Sequence, residues 1–119
     1  MSHPPLVDAT SFALEVLKSE LPVFINVTAA WCPPCKAAKP VVAELAQQYA
    51  GRLKVVMIDG DACPELVATL GVRGFPTFLA FHQGDLLGRQ AGFGGRRSLQ
   101  ALVEKLLAAS PASQEAARV

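Results

Sequence analysis

Two short apolar-rich runs, Val23–Val27 and Leu53–Ile58, lie one helix length apart in a chain of 119 residues. Runs without strict alternation are expected of strands covered on both faces. From Cys32 onward the intervening segment carries Ala38, Val42, Leu45, Ala46 and Tyr49 at helical spacing, and Gly51 stops it in the C′ manner. A strand–helix–strand unit closes as a parallel pair with a right-handed crossover. That unit removes most all-α and all-β alternatives. Pro40 falls inside the helix and predicts a kink, because its ring clashes with the carbonyl of Lys36.

The flanking segments complete the pattern. Phe12, Ala13, Val16, Leu17 and Leu21 form a stripe at the 3.6-residue period, and Thr10 or Ser11 can cap that helix. Leu6-Val7 is a candidate stub strand. Asp61 opens a short helix with Cys63, Leu66, Val67 and Leu70 in phase, stopped by Gly71. Thr77–His82 and Leu86–Ala91 read as a hairpin around Gln83-Gly84. Leu99, Leu102, Val103, Leu106 and Leu107 mark a final amphipathic helix. The order α-β-α-β-α-β-β-α predicts an α/β fold, a central mixed sheet with helices on both faces. Residues 1–109 read as a single domain, and 110–119, rich in Ala, Ser, Gln and Arg, as a flexible tail.

Composition then narrows the function. At this length about two thirds of the unfolded surface is hidden on folding, so no disulfide or metal is needed to hold the core. With 51% hydrophobic and 18% charged residues the chain is too apolar for disorder. A formal charge of +1 provides no basic excess for nucleic acid or an anionic membrane. The longest uncharged stretch, Leu21–Cys35, contains Asn26 and three prolines and is shorter than the roughly 20 residues a spanning helix needs. Asp8, Glu15, Lys18 and Glu20 leave no room for a signal-peptide apolar core. The expected location is the cytoplasm, although a protein whose leader had been removed would read the same. The expected state is a monomer.

The chemistry concentrates at Trp31-Cys32-Pro33-Pro34-Cys35-Lys36, between a buried strand and the first turn of a helix. A thiolate is the nucleophile in disulfide exchange, and a helix N-terminus lowers its pKa from about 8.5 toward roughly 3.5–7.5. Cys32 lies near the N-cap, where unpaired N–H groups and the positive end of the dipole face its sulfur. Cys35 follows three residues later on the same face, so the two sulfurs can meet. Pro33 and Pro34 cost no helical bond there, since those donors are orphans in any helix. Trp31 adds flat apolar surface. The competing reading is zinc held by Cys32, Cys35, Cys63 and His3 or His82, but these ligands lack a second tight couple. A scaffold with incidental cysteines is the other.

From about Phe12 to Leu107 the chain resembles the thioredoxin family. The resemblance rests on Trp31-Cys32-x-Pro34-Cys35-Lys36, on Pro40, and on Val72-Arg73-Gly74-Phe75-Pro76-Thr77, which matches the loop ending in the family's cis-proline. Gly84 matches the hairpin glycine, and Gly92 the glycine that closes the substrate groove. It implies protein-disulfide reduction through Cys32 and Cys35, with no cofactor beyond that redox-active pair. Trp31, Pro34, Gly74, Phe75, Pro76 and Gly92 would then line the substrate groove. The implied partners are protein disulfides and an electron-donating reductase similar to thioredoxin reductase. A specialised oxidant or isomerase, and a redox-silent peptide-binding module, are the alternatives.

Four positions depart from the family pattern, and two of them, Asn26 and Pro33, are expected to modulate the site. Asn26 stands where many members bury an aspartate, and Met57 where a lysine often pairs with it. Thr28 replaces the usual aromatic before the active site. Pro33 replaces the commonest glycine, and the Pro-Pro version resembles tryparedoxin-like and nucleoredoxin-like relatives. Lys36 is a further modulating position. Cys63, in phase with Leu66, Val67 and Leu70, reads as a buried structural thiol, with a regulatory or glutathione-accepting role as the alternative. His82 reads as a strand-end residue, His3 as part of a mobile terminus, and Arg96-Arg97 as a solvated start to the last helix.

Overall fold

A computed structural model of the protein describes residues 4–109. A π-helical turn at Ala13–Leu17 leads into β1 (Val23–Thr28), α1 (Pro33–Gln48), β2 (Lys54–Asp59) and α2 (Pro64–Thr69). The hairpin β3 (Thr77–His82) and β4 (Asp85–Ala91) follows, and α3 (Arg96–Ala109) ends the described chain. The sheet order is β2-β1-β3-β4. β1 pairs parallel with β2 and antiparallel with β3, and β3 pairs antiparallel with β4. This is the mixed sheet expected from the strand–helix–strand unit and the hairpin.

All six residues of β1 are buried, because both faces of the sheet are covered. Successive side chains of a strand point to opposite faces. Phe24 therefore packs with Ala38, Val42 and Leu45 of α1 and with Leu99, Val103 and Leu106 of α3. Val23, Ile25 and Val27 pack on the other side with Phe12, Val16, Val56, Ile58 and Leu66. Phe24 and Phe78 stack across β1 and β3 with ring centroids 5.8 Å apart. α1 runs through Pro40 without interruption. The ring nitrogen has no proton to donate to the Lys36 carbonyl, and flanking tertiary packing retains the helix.

The N-terminal segment differs most from expectation. In place of a helix capped by Thr10 or Ser11, a five-residue π-helical turn begins after Phe12 without a side-chain cap. Asp8 organises the preceding turn. Its Oδ1 accepts from the N–H groups of Thr10 and Ser11, both at 3.0 Å, and from the Thr10 hydroxyl at 2.7 Å. The Thr10 hydroxyl first, and the Ser11 N–H after it, hold the Asp8 carboxyl below its usual range. A π turn advances five residues per hydrogen bond, seen as Lys18 N–H donating to the Ala13 carbonyl. The 3.6-residue stripe is thereby broken: Val16 is buried, whereas Leu17 is 39% exposed. The stub at Leu6-Val7 reduces to one parallel bridge, Leu6 to Met57, beside β2.

Other boundaries shift by small amounts for local reasons. β2 begins at Lys54 because the Leu53 N–H is taken by the Tyr49 carbonyl in the turn after α1. α2 begins at Pro64 rather than Asp61, since Asp59 Oδ1 accepts from Asp61 and Ala62 N–H and holds a turn there. Gln83 and Gly84 both take positive φ, +50° and +88°, the pattern of a type I′ hairpin turn. Arg96 is not merely solvated but pairs with Glu44 of α1. Among the described residues no helix is long and apolar enough to cross a membrane. The tail expected at 110–119 and the mobile terminus expected at His3 lie outside the described residues.

Phe24 joins β1 to α1, α3 and β3 at once. Phe24→Ala is expected to cost about 3–5 kcal/mol, read as a lowered urea midpoint at unchanged slope.

Candidate active site

The carboxyl end of β1 delivers the chain to the N-terminus of α1 within a few residues. Cys32 is the N-cap, with φ −94° and ψ 114°, and Pro33 and Pro34 occupy the first helical positions. Prolines are tolerated there because the helix has no use for their missing donors. The first N–H available after them is that of Cys35, and it donates to Cys32 Sγ at 3.2 Å. Cys32 and Cys35 are joined as a disulfide, with their Cα atoms 5.2 Å apart. Both are almost wholly covered, at 2% and 0% exposure. They pack with Ala29 and against Phe75.

A second loop closes the site. The Phe75–Pro76 peptide bond is cis, as the resemblance implied and against the usual preference of X–Pro bonds. The Phe75 carbonyl oxygen lies 3.4 Å from Cys32 Sγ. Thr77 Oγ1 donates to the Gly74 carbonyl at 2.8 Å, and the Gly92 N–H donates to the Pro76 carbonyl at 2.8 Å. These two bonds tie the loop to the start of β3 and the end of β4. Trp31 is 65% exposed and meets the Phe75 ring edge-to-face, centroids 6.0 Å apart. The structure thus gathers Trp31, Cys32, Cys35, Phe75, Pro76 and Gly92 into one locality, and Gly74 adjoins it.

Near the carboxyl end of β1 the buried chemistry is polar but uncharged. Asn26 is 0% exposed, and neither its Oδ1 nor its Nδ2 has a hydrogen-bond partner among the described residues. Thr28 Oγ1, two residues along, is in the same condition. Strand alternation sets both on the face that Phe24 presents to α1, the helix carrying Cys35. In register Asn26 faces Met57 of β2 and Phe78 of β3, neither of which carries charge.

The other thiol lies elsewhere. Cys63 caps α2 and is half-buried rather than buried, because the turn held by Asp59 lifts it to the rim of the Ile58–Leu66 cluster. Among the described residues no group of three or more His, Cys, Asp and Glu side chains comes together as a metal site. His82 closes β3, buried, with Nε2 unpartnered among the described residues. Two contributors carry no signal in the sequence. Arg89 donates to the Leu70 and Gly71 carbonyls at the end of α2, and Gly60 lies against the Phe75 ring. An Asp-Gly-Asp step after a strand reads only as a turn. Nothing linear places residue 75 over it.

A dithiol at a strand-to-helix junction, faced by a cis-proline loop, defines a dithiol–disulfide oxidoreductase on an α/β scaffold. The family described as Thioredoxin matches residues 4–108. Thioredoxin from Synechocystis sp. is 39% identical over 107 residues, 90% of this chain and all of that protein. Thioredoxin 1 from Nostoc sp. is 37% identical over the same shares. Thioredoxin C-2 from Corynebacterium nephridii is 36% identical over 95 residues, 80% of this chain and 88% of its own. The chain belongs to the thioredoxin family and is a dithiol protein-disulfide reductase.

Asn26→Asp introduces a proton acceptor whose register partners, Met57 and Phe78, carry no charge. Burial raises a carboxyl pKa above its unfolded value of about 3.9, so the variant loses stability as pH rises through that value toward the folded pKa. Urea denaturation is expected to show a deficit of about 1–3 kcal/mol near neutrality that shrinks by pH 4, together with faster insulin reduction.

Proposed function

We propose that Cys32 is the attacking thiol and Cys35 the resolving one. The observation that carries this is the position of Cys32 at the N-cap of α1, its sulfur between the Cys35 N–H and the Phe75 carbonyl. The helix end favours the thiolate form of the first cysteine. That thiolate attacks one sulfur of a substrate disulfide, and the other substrate sulfur departs as a thiolate and takes a proton from water. Cys35 then loses its proton and attacks Cys32 Sγ, expelling the second substrate sulfur. Two electrons pass to the substrate, and the protein is left with Cys32 bonded to Cys35.

Trp31, Pro34, Gly74, Phe75, Pro76 and Gly92 form the substrate surface in this reading. An extended substrate segment would lie along the Phe75 backbone as a short added strand, a mode in which main-chain bonds supply affinity. The exposure of Trp31 and the ties that hold Gly74 and Gly92 around Pro76 support that assignment. Asn26, Pro33 and Lys36 modulate the exchange. A partner similar to thioredoxin reductase returns the dithiol to its reduced form. The protein works as a monomer in the cytoplasm, with residues 1–109 as its one domain.

Iodoacetamide near neutral pH is expected to alkylate Cys32 of the reduced protein ahead of Cys35 and Cys63. Cys32→Ser is expected to abolish insulin reduction driven by dithiothreitol. Labelling that begins at Cys35 or Cys63 reverses the assignment.

Pro33 restricts the dithiol loop, so less entropy is lost when the ring closes. Pro33→Gly should therefore make the protein about 10–20 mV more oxidising, on a scale where 30 mV is about 1.4 kcal/mol. Equilibration of both proteins with glutathione measures this, and a glycine variant equally or more reducing contradicts it.

A further inference from the structure

We propose that Gly60 is a positioning residue of the dithiol site: its missing side chain makes the seat in which the Phe75 ring covers Cys32. Gly60 directly follows β2 and is buried. Its N–H donates to the Thr28 carbonyl at 2.8 Å, which pins its backbone to the end of β1. Its φ is not among the positive values of the chain, so the backbone conformation does not demand glycine. Space does. A Cβ at position 60 would overlap Cε1 and Cζ of Phe75, and even Cδ1 would lie 3.2 Å away.

The ring so seated reaches two other groups. It packs against the cluster of Ala29, Cys32 and Cys35, and its neighbour at the solvent side is Trp31. The same residue sets its carbonyl 3.4 Å from Cys32 Sγ. Ring and carbonyl are parts of one residue whose following peptide is locked into the Pro76 turn. Displacing the ring therefore moves the wall of the site away from the sulfur, while the carbonyl stays where the backbone ties around Pro76 hold it. Because the overlap falls on the far end of a rotatable side chain, a methyl at position 60 would swing the ring outward without dismantling the strand.

The proposal rests on Cys32 as the attacking thiol. The test compares Gly60→Ala, Phe75→Ala and the double variant in three readouts. These are the iodoacetamide rate at Cys32 in the reduced protein, the emission of Trp31, which is the sole tryptophan, and insulin reduction. Gly60→Ala is expected to raise the alkylation rate several-fold and to shift Trp31 emission. It should also lower kcat/KM for insulin about tenfold, chiefly through KM, as expected when a reacting group's surroundings move by an ångström. In the Phe75→Ala background the same substitution should change none of the three, since the ring it displaces is gone. Wild-type alkylation and emission in Gly60→Ala overturn the proposal, even if its urea midpoint falls. Equal effects in both backgrounds overturn it too. Should alkylation begin at Cys35 in the unsubstituted protein, the Cys32 assignment fails, while Trp31 emission across the same four proteins still decides the seat.

Discussion

The burial of β1 on both faces is the constraint on which the rest depends. Its six residues are all buried, and its neighbours are a parallel strand on one side and an antiparallel strand on the other. A strand held so firmly delivers its carboxyl end to a fixed point. The chain turns there directly into α1, and the N-cap of that helix is Cys32. Orphan donors at a helix start and a sulfur that gains from meeting them thus coincide. β1 places the Thr28 carbonyl as well, and that carbonyl holds Gly60. Removing packing from β1 would loosen both walls of the site at once.

The same burial sets a limit on the chemistry. A side chain on the inner face of β1 near its carboxyl end cannot reach water, so whatever stands there acts in a low-dielectric setting. Asn26 and Thr28 bring hydrogen-bonding atoms to that face without charge and find no partner among the described residues. Leaving such groups unpaired costs stability, on the order of 1–3 kcal/mol each. An amide can orient a neighbouring group but does not exchange a proton in the neutral range. In the proposed mechanism, proton handling at Cys35 then falls to the dithiol itself and to solvent admitted with substrate.

Local pattern and tertiary contact contributed differently along the chain. The two buried runs, the helix between them and the Gln83-Gly84 hairpin were legible because each rests on a short-range rule: period, turn chemistry or a glycine stop. The active-site pair was legible for the same reason, since three residues of helix bring the sulfurs together. The first helix departs from its pattern because the stripe through Phe12, Val16 and Leu17 implies 3.6 residues per turn, whereas the chain takes a π turn. Phase alone points Cys63 into the core. The Asp59-held turn moves the start of α2 and leaves its thiol at the rim.

The sequence by itself determined the parallel unit, the hairpin, the placement of Cys32 at a helix start and the identity of its partner. These depend on residues a few positions apart, where backbone geometry leaves little choice. Only the tertiary structure decided what surrounds the sulfurs. Phe75 is 43 residues beyond Cys32 yet lies with its carbonyl at that sulfur. Gly60 matters for the ring of Phe75, fifteen positions later, and not for its own turn. Such contacts are made by loops at one end of the sheet, brought together by strand order and register. No periodicity within any one segment carries that information, because the forces that set it act between segments.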